Sequence, residues 1–473
     1  MSDFLKKHKK TIIFGILIVA AYFVTRLINL TLIPIFTDEA IYLRWSQIMA
    51  YDASLRFLPL VDGKPPLFMW LTSITMRLLP TLDPLISGRL VSVFAGFLGL
   101  CGIVFTSYLL FKNKKISFLT AILYLLTPFT LFYDRFALAD SLLAALGIWS
   151  LGLGVLLVRT GRLDIALILG FVIGLARLTK SPSIFFLFLL PLLVLLRKTS
   201  FLKLIFYFIL IAGISEMVFS ILRLFPLFNM LADKNAQFTI TLSEFLKQPF
   251  GLTLGNLKSL FNWEFFYLTP LVFLTTIIGI VISLKKYLKE TLILVSCFLL
   301  PVLAMATFNK IIYARYLLTF TPVLLILAAV GLSKLKPVFA ILVFAVPVYI
   351  SSLLLTKPLD APIPDTDRGQ YMDGWAAGYG IQEIRQFLTG KTGVLATEGT
   401  FGLMPYALEI YQQKYYPNLA IKAYWPLPEK PTENADYLLM YQNQKTPGSW
   451  KLEELFRFRQ GKGTDYLRLY KVL

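Results

Sequence analysis

Histidine is almost absent from this chain: 473 residues contain one, His8, in the basic tail Lys6-Lys7-His8-Lys9-Lys10. That excludes a Ser-His-Asp triad, a histidine-rich zinc site and a histidine general base. Cysteine is nearly as scarce. Cys101 and Cys297 each lie inside an apolar run, which excludes a loop disulfide framework and a CxxC metal or redox site. No Walker sequence, EF-hand loop or HExxH occurs, and the glycine-rich stretch 374–380 lacks both GxGxxG spacing and a preceding strand. Nucleotide chemistry therefore has no home here, and any acid or base work falls to carboxylates.

Apolar residues are abundant. They make up 57% of the chain, Phe alone occurs 40 times, and the mean hydropathy is +0.70. Uncharged runs of this kind exceed what one water-soluble core can bury, so the expected class is an all-α polytopic membrane protein. A ruler of about 20 residues per crossing places about 11 spans, near 11–30, 87–110, 116–133, 137–158, 165–179, 183–196, 204–222, 265–284, 291–308, 316–332 and 338–356. The fifth and sixth are short. The first follows a basic tail without a small-residue cleavage site, so it reads as an uncleaved anchor.

The formal charge of +19 would point to nucleic acid in a soluble protein. Here the basic residues fall in short clusters between apolar runs: the N-terminal tail, Lys112 to Lys115, Arg159 to Arg162, Arg197-Lys198, Lys285 to Lys289 and Lys334 to Lys336. All lie on one side when the spans are counted, and the positive-inside rule makes that side the cytoplasm of a plasma-membrane protein. Membrane lipids, not nucleic acid, are the expected partners of such clusters. The N-terminus is then cytoplasmic and the C-terminus outside. Residues 1–356 form the expected membrane domain, with a first outer loop at 31–86, and 357–473 a small extracytoplasmic α/β domain. After Pro358 the composition reads as a linker. Strands are expected at 392–397, 419–423, 437–441 and 466–472, and helices at 380–388 and 401–413.

Charge beside a membrane needs a reason, and the outer side holds most of it. In the first outer loop, Asp38 onward reads as a helix with Ile41, Trp45, Ile48 and Met49 on one face, and Pro65-Pro66 opens a second helix through Leu79. Asp38 and Glu39 can act as general base toward an acceptor hydroxyl or hold a divalent cation, although Asp at an N-cap with Glu in the first turn equally describes helix capping. Lys64, in Gly63-Lys64-Pro65-Pro66, stands at a helix N-terminus where an anion is already favoured. Arg135, Asp140, Lys180, Tyr313 and Arg315 follow on the same side, and Arg177 sits at the break before Lys180. Ionisable groups at membrane depth usually face a cavity or a partner.

These residues, in this order, resemble the multispanning GT-C glycosyltransferases that use polyprenyl-phosphate sugars, namely the aminoarabinose transferases and protein O-mannosyltransferases. The resemblance is carried by Thr37-Asp38-Glu39-Ala40-Ile41-Tyr42, Gly63-Lys64-Pro65-Pro66-Leu67, the stretch from Arg135 to Asp140, Leu178-Thr179-Lys180-Ser181-Pro182 and Arg315-Tyr316-Leu317-Leu318. It implies an inverting transfer from a lipid-linked sugar to an extracytoplasmic acceptor. Asp38, with Glu39 beside it, would be the acidic residue at the reaction centre, and Lys64, Arg135, Lys180 and Arg315 would meet the donor phosphate, with Asp140, Tyr313 and Tyr42 nearby. Two departures set this chain apart: Gly63 stands where aminoarabinose transferases carry an acidic residue, and their membrane histidine has no counterpart. No particular cofactor is indicated, and a divalent cation stays open. A lipid-linked saccharide flippase or transporter, or a non-catalytic subunit of an envelope assembly complex, would also display cations around an anionic lipid. A transporter, however, concentrates polar residues at mid-span helix breaks, whereas here they gather at outer ends.

Overall fold

A computed structural model describes residues 2–431, 435–442, 445–446 and 448–473, with side chains from residue 9 onward; the side chain of His8 lies outside the described residues. Each of the eleven apolar segments is helical. The helices are α1 (Ser2–Leu27), α4 (Pro84–Phe111), α5 (Lys114–Leu126) with α6 (Pro128–Tyr133), α7 (Asp140–Thr160), α8 (Leu163–Arg177), α9 (Ile184–Leu189), α10 (Phe201–Phe219), α14 (Pro270–Lys286), α15 (Leu288–Phe308), α16 (Thr321–Leu332) and α17 (Pro337–Thr356). Among the described residues, six are single helices long and apolar enough to cross a membrane. The others are short or broken, and proline supplies the reason at several breaks, having no N–H to give the helix. Pro128 separates α5 from α6, Pro191 turns the end of α9 into a 3-10 segment, Leu190–Leu196, and Pro270 marks a 103° bend between α13 (Thr253–Leu268) and α14. The expected span at 265–284 is thus corrected: its first residues belong to α13, across that bend.

Close helix contact is bought with small residues. A methyl group on Gly279 of α14 or Gly331 of α16 would overlap the facing backbone at Leu327 and Thr275. Large apolar side chains such as Leu202, Ile209 and Met217 of α10 point away from the bundle, as lipid-facing residues of a multi-pass membrane protein do.

The first loop folds as α2 (Thr37–Tyr51), a 3-10 turn Leu58–Asp62 and α3 (Leu67–Leu78). Ile41, Trp45 and Met49 of the expected face are buried, and Ile48 only partly. Between the two helices Gly63 has φ +59°, and a Cβ there would strike the Met230 carbonyl and Lys234 of α11 (Met230–Phe238). Only glycine lets the two segments touch in that backbone conformation.

A buried ion pair holds this loop to the bundle. Glu39 and Arg89 of α4 are 0% and 1% exposed and meet at 2.7 Å. Arg89 also donates to the carbonyls of Leu30, Ile33 and Pro34, while Glu39 accepts from the backbone N–H of Phe36 at 3.0 Å and of Ala137 at 2.7 Å. The end of α1, the start of α2, α4 and the turn before α7 therefore share one node.

The C-terminal part contains a five-stranded sheet of order β2-β1-β3-β5-β4, with β1 (Gly393–Glu398), β2 (Leu419–Tyr424), β3 (Tyr437–Met440), β4 (Leu452–Arg459) and β5 (Tyr466–Val472). Helices α19 (Ile381–Leu388) and α20 (Leu403–Tyr415) pack beside it. Strand β4 escapes sequence reading because it is a half-exposed edge whose Glu453, Glu454, Arg457 and Arg459 hide any alternation. The sheet unit rests on the first loop: Arg44 of α2 pairs with Glu409 of α20 at 2.7 Å, and Thr37 donates its N–H to Ala376 at 3.1 Å.

The stretch after Pro358 is not a free linker. It forms a short helix, α18 (Asp365–Arg368), and a π-turn, Gly369–Asp373, that enter the bundle end. Asp367, Tyr371 and Met372 are each 0% exposed. Its aspartates and prolines resemble linker composition because the contacts that order the segment come from residues distant in sequence.

Removing one partner of a buried ion pair strands the other, at about 3–5 kcal/mol. Glu39→Ala and Arg89→Ala are each expected to cost the detergent-solubilised protein about that much, read as a large drop in thermal midpoint, whereas Arg162→Ala, in an exposed pair with Asp164, leaves it within a degree or so.

Candidate functional site

The first turn of α2 presents Asp38 to two cations. Its carboxylate lies 2.9 Å from the Arg315 guanidinium and 3.6 Å from the Lys64 ammonium. Arg315 comes from a 3-10 segment, Ala314–Thr319, ahead of α16, and Lys64 from the turn ahead of α3. Burial pushes the Asp38 carboxyl up, but Lys64 and Arg315 outweigh it and hold the group well below the usual carboxylate range. Asp38 is charged at rest.

Around this pair the charges alternate. Asp62 lies 3.3 Å from Lys64 through one oxygen and 2.7 Å from Lys234 of α11 through the other. Lys180 pairs with Asp140, at the start of α7, at 2.7 Å and lies 4.9 Å above the Tyr316 ring. Lys64 sits 4.9 Å from the Tyr42 ring and 5.7 Å from that of Trp45, and Arg315 is 5.0 Å from the Tyr313 ring. Every cation here is matched by a carboxylate. A phosphate entering the cluster can take over several of those partners, because each is a side chain and not a backbone cap.

Of the residues singled out from sequence, Asp38, Lys64, Arg315, Lys180, Asp140, Tyr42 and Tyr313 come together in one cluster. Glu39 and Arg135 do not. Glu39 points the other way, into its ion pair with Arg89, so its expected place at the reaction centre is corrected to that of an anchor for α2. Arg135 donates to the carbonyls of Thr25, Arg26, Ile28 and Asn29 at the end of α1, which uses its guanidinium as a helix cap instead of a phosphate ligand. Arg177 pairs with Glu216 at 2.6 Å.

Sequence reasoning passed over Asp62 and Lys234. Asp62 was legible, since it adjoins the Gly63-Lys64-Pro65-Pro66 phrase; Lys234 carries no local signal and reaches the site only by the approach that Gly63 permits. Among the described residues no group of three or more His, Cys, Asp or Glu side chains gathers as metal ligands. Elsewhere in the bundle Phe186, Leu190, Leu193, Cys297, Phe320 and Val323 line a small apolar cavity between α7, α9, α15 and α16.

With the site described, its relatives can be compared. Residues 63–222 match the model of the dolichyl-phosphate-mannose-protein mannosyltransferase family. The fold is shared with ArnT from Cupriavidus metallidurans, bound to undecaprenyl phosphate and in the apo state, at a TM-score of 0.58 and 15% identity over 98% of both chains. It is also similar to the Archaeoglobus fulgidus oligosaccharyltransferase tethered to an acceptor peptide, at a TM-score of 0.50 and 11% identity, covering 92% of this chain and 69% of that one. A comparison with curated protein sequences finds no match. The GT-C-like fold, with a small C-terminal sheet domain, is the one that the residue patterns of the first loop resemble.

A carboxylate whose folded value is depressed contributes stability above its ordinary range and loses it as pH falls toward the depressed value. The thermal midpoint of the protein is therefore expected to fall between about pH 5 and 3, and that of Asp38→Asn to fall less over the same interval. Equal slopes in the two titrations would show that Asp38 is not held by its cations in solution.

Proposed function

We propose that this protein is an integral membrane glycosyltransferase that moves a sugar from a polyprenyl-phosphate donor to an extracytoplasmic lipid, glycan or protein acceptor, with inversion. The observation that carries the reading is Asp38 held between Lys64 and Arg315. Support also comes from the family description matched over residues 63–222 and from the undecaprenyl phosphate and acceptor peptide named with the two related structures. The N-terminus is cytoplasmic in this reading, the cluster faces outward from the plasma membrane, and residues 357–473 form an outer domain that covers the first loop.

The chemistry needs neither nucleotide nor ATP. The acceptor O–H gives its proton to Asp38 as its oxygen bonds to the sugar's anomeric carbon. The bond from that carbon to the phosphate oxygen breaks, and the polyprenyl phosphate leaves with the electron pair. Lys64 and Arg315, with Lys180 at the edge, stabilise the charge that develops on the leaving phosphate. The same two cations make Asp38 a poor base at rest, because they hold its carboxylate in the charged form. A donor phosphate competes for them. As they turn to the phosphate, burial is left to act alone on Asp38, and its proton affinity rises. Donor binding thus readies the base, and an empty site stays inactive.

A transporter reading has less support. Asp38, Lys64, Asp140, Lys180 and Arg315 gather at one end of the bundle and on the first loop, unlike the broken mid-span helices that bind cargo in transporters.

Asp38→Asn is nearly isosteric and is expected to abolish transfer from radiolabelled polyprenyl-phosphate sugar. It should bind undecaprenyl phosphate several-fold more tightly than the wild type, since the competing charge is gone. Lys64→Ala should weaken that binding by about tenfold. Normal turnover by the purified Asp38→Asn protein would sink the assignment, and unchanged lipid affinity in Lys64→Ala would remove Lys64 from the phosphate.

A further inference from the structure

Two fully buried side chains near the reaction centre lack partners for some of their polar atoms. Asp367 uses one carboxylate oxygen to accept from the Tyr133 hydroxyl at 2.6 Å and from the Tyr267 hydroxyl, but its other oxygen, Oδ1, has no partner. The Tyr371 hydroxyl, one turn further along, has none either, nor has Nε of Arg315. A buried polar atom left unpaired costs about 1–3 kcal/mol, and three of them around one region call for a partner that arrives later.

Their placement is tied to the site. The Tyr371 ring is fixed by Phe36 at 4.4 Å, Phe136 at 4.8 Å and Phe132 at 5.3 Å between centroids. Phe36 is the N-cap of α2, two residues before Asp38. The strap that carries Asp367 and Tyr371 is pinned beyond the turn, where Phe36 and Ala377 form a β-bridge. The strap is therefore held in place beside the start of α2 and is not a loose loop.

We propose that Asp367 and Tyr371 form a subsite for the hydroxyl groups of the sugar ring carried by the donor. The inference rests on the glycosyltransferase reading above. A sugar whose phosphate meets Lys64 and Arg315, and whose anomeric carbon faces Asp38, brings its ring beside Arg315. The chemistry fits a neutral polyhydroxylated ring. Oδ1 of Asp367 accepts from one sugar hydroxyl, the Tyr371 hydroxyl donates to another oxygen, and Nε of Arg315 donates to an oxygen of the sugar or its phosphate. No lysine is paired with Asp367, so the free oxygen keeps its capacity for the ligand.

The test compares two ligands on the full-length purified protein: undecaprenyl phosphate, and undecaprenyl-phosphate hexoses carrying glucose, galactose or mannose. The wild type is expected to bind at least one sugar-bearing lipid more tightly than the bare lipid phosphate. Tyr371→Phe, which keeps the packed ring and deletes only the hydroxyl, should lose about tenfold of that preference. Its affinity for undecaprenyl phosphate should stay within twofold and its thermal midpoint unchanged. Asp367→Asn, whose remaining carbonyl oxygen can still accept from Tyr133 and Tyr267, should show the same selective loss. Full preference in both variants, equal loss of affinity for both ligands, or no sugar-dependent gain in the wild type would each overturn the subsite while leaving the phosphate cluster standing. A wild type that binds none of these lipids would instead overturn the glycosyltransferase reading, and the subsite with it.

Discussion

The Glu39–Arg89 pair is the contact on which the rest of the outer end depends. Both groups are out of water, and two buried charges are tolerated only when geometry and additional hydrogen bonds offset their lost hydration. Here the surplus bonds go to backbone: three carbonyls after α1 receive Arg89, and two N–H groups, from Phe36 and Ala137, are held by Glu39. Four chain segments are thereby locked around the first residues of α2. Since Asp38 is the next residue toward the N-terminus, its direction is decided by its neighbour's burial. Adjacent carboxylates have opposite fates, one structural and dry, the other facing the cluster.

The cluster itself is restrained by its own ion pairs. Lys64 divides its contacts between Asp38 and Asp62, Arg315 holds Asp38, and Lys180 holds Asp140. Such pairs are stable without a ligand, yet each cation can exchange a carboxylate for a phosphate at small net cost, because charge-assisted bonds to phosphate are of similar strength. Lys234 adds a link from α11 to the Lys64 turn through Asp62. The position of Lys64 thus depends on a segment more than 160 residues later, through the close approach at Gly63.

Much of this was legible in the residues. The apolar runs fell on helical segments, and four of five strands were visible where alternation was clean. Asp38, Lys64, Lys180 and Arg315 stood out because charge beside a membrane is expensive and needs a partner. What stayed hidden has identifiable causes. Strand β4 carries its charges on an exposed edge, so burial leaves no pattern. The strap at 358–373 has the composition of a linker, while the residues that hold Asp367 and Tyr371, among them Tyr133, Tyr267 and Phe36, are distant in sequence. The break at Thr269 was blurred by apolar residues on both sides of Pro270.

By itself, the sequence determined a helical membrane protein, the class of chemistry left open once histidine, cysteine and nucleotide motifs are missing, and a short list of outer charges. Hydropathy and residue type are local properties, and local properties survive in one dimension. Only the tertiary structure decided which of those charges meet. Arg135 and Arg315 look alike in the chain, but the carbonyls at the end of α1 capture the first, while a 3-10 turn ahead of α16 aims the second at Asp38. Ion pairing depends on distances of a few ångströms between segments hundreds of residues apart, and no spacing along the chain encodes those distances.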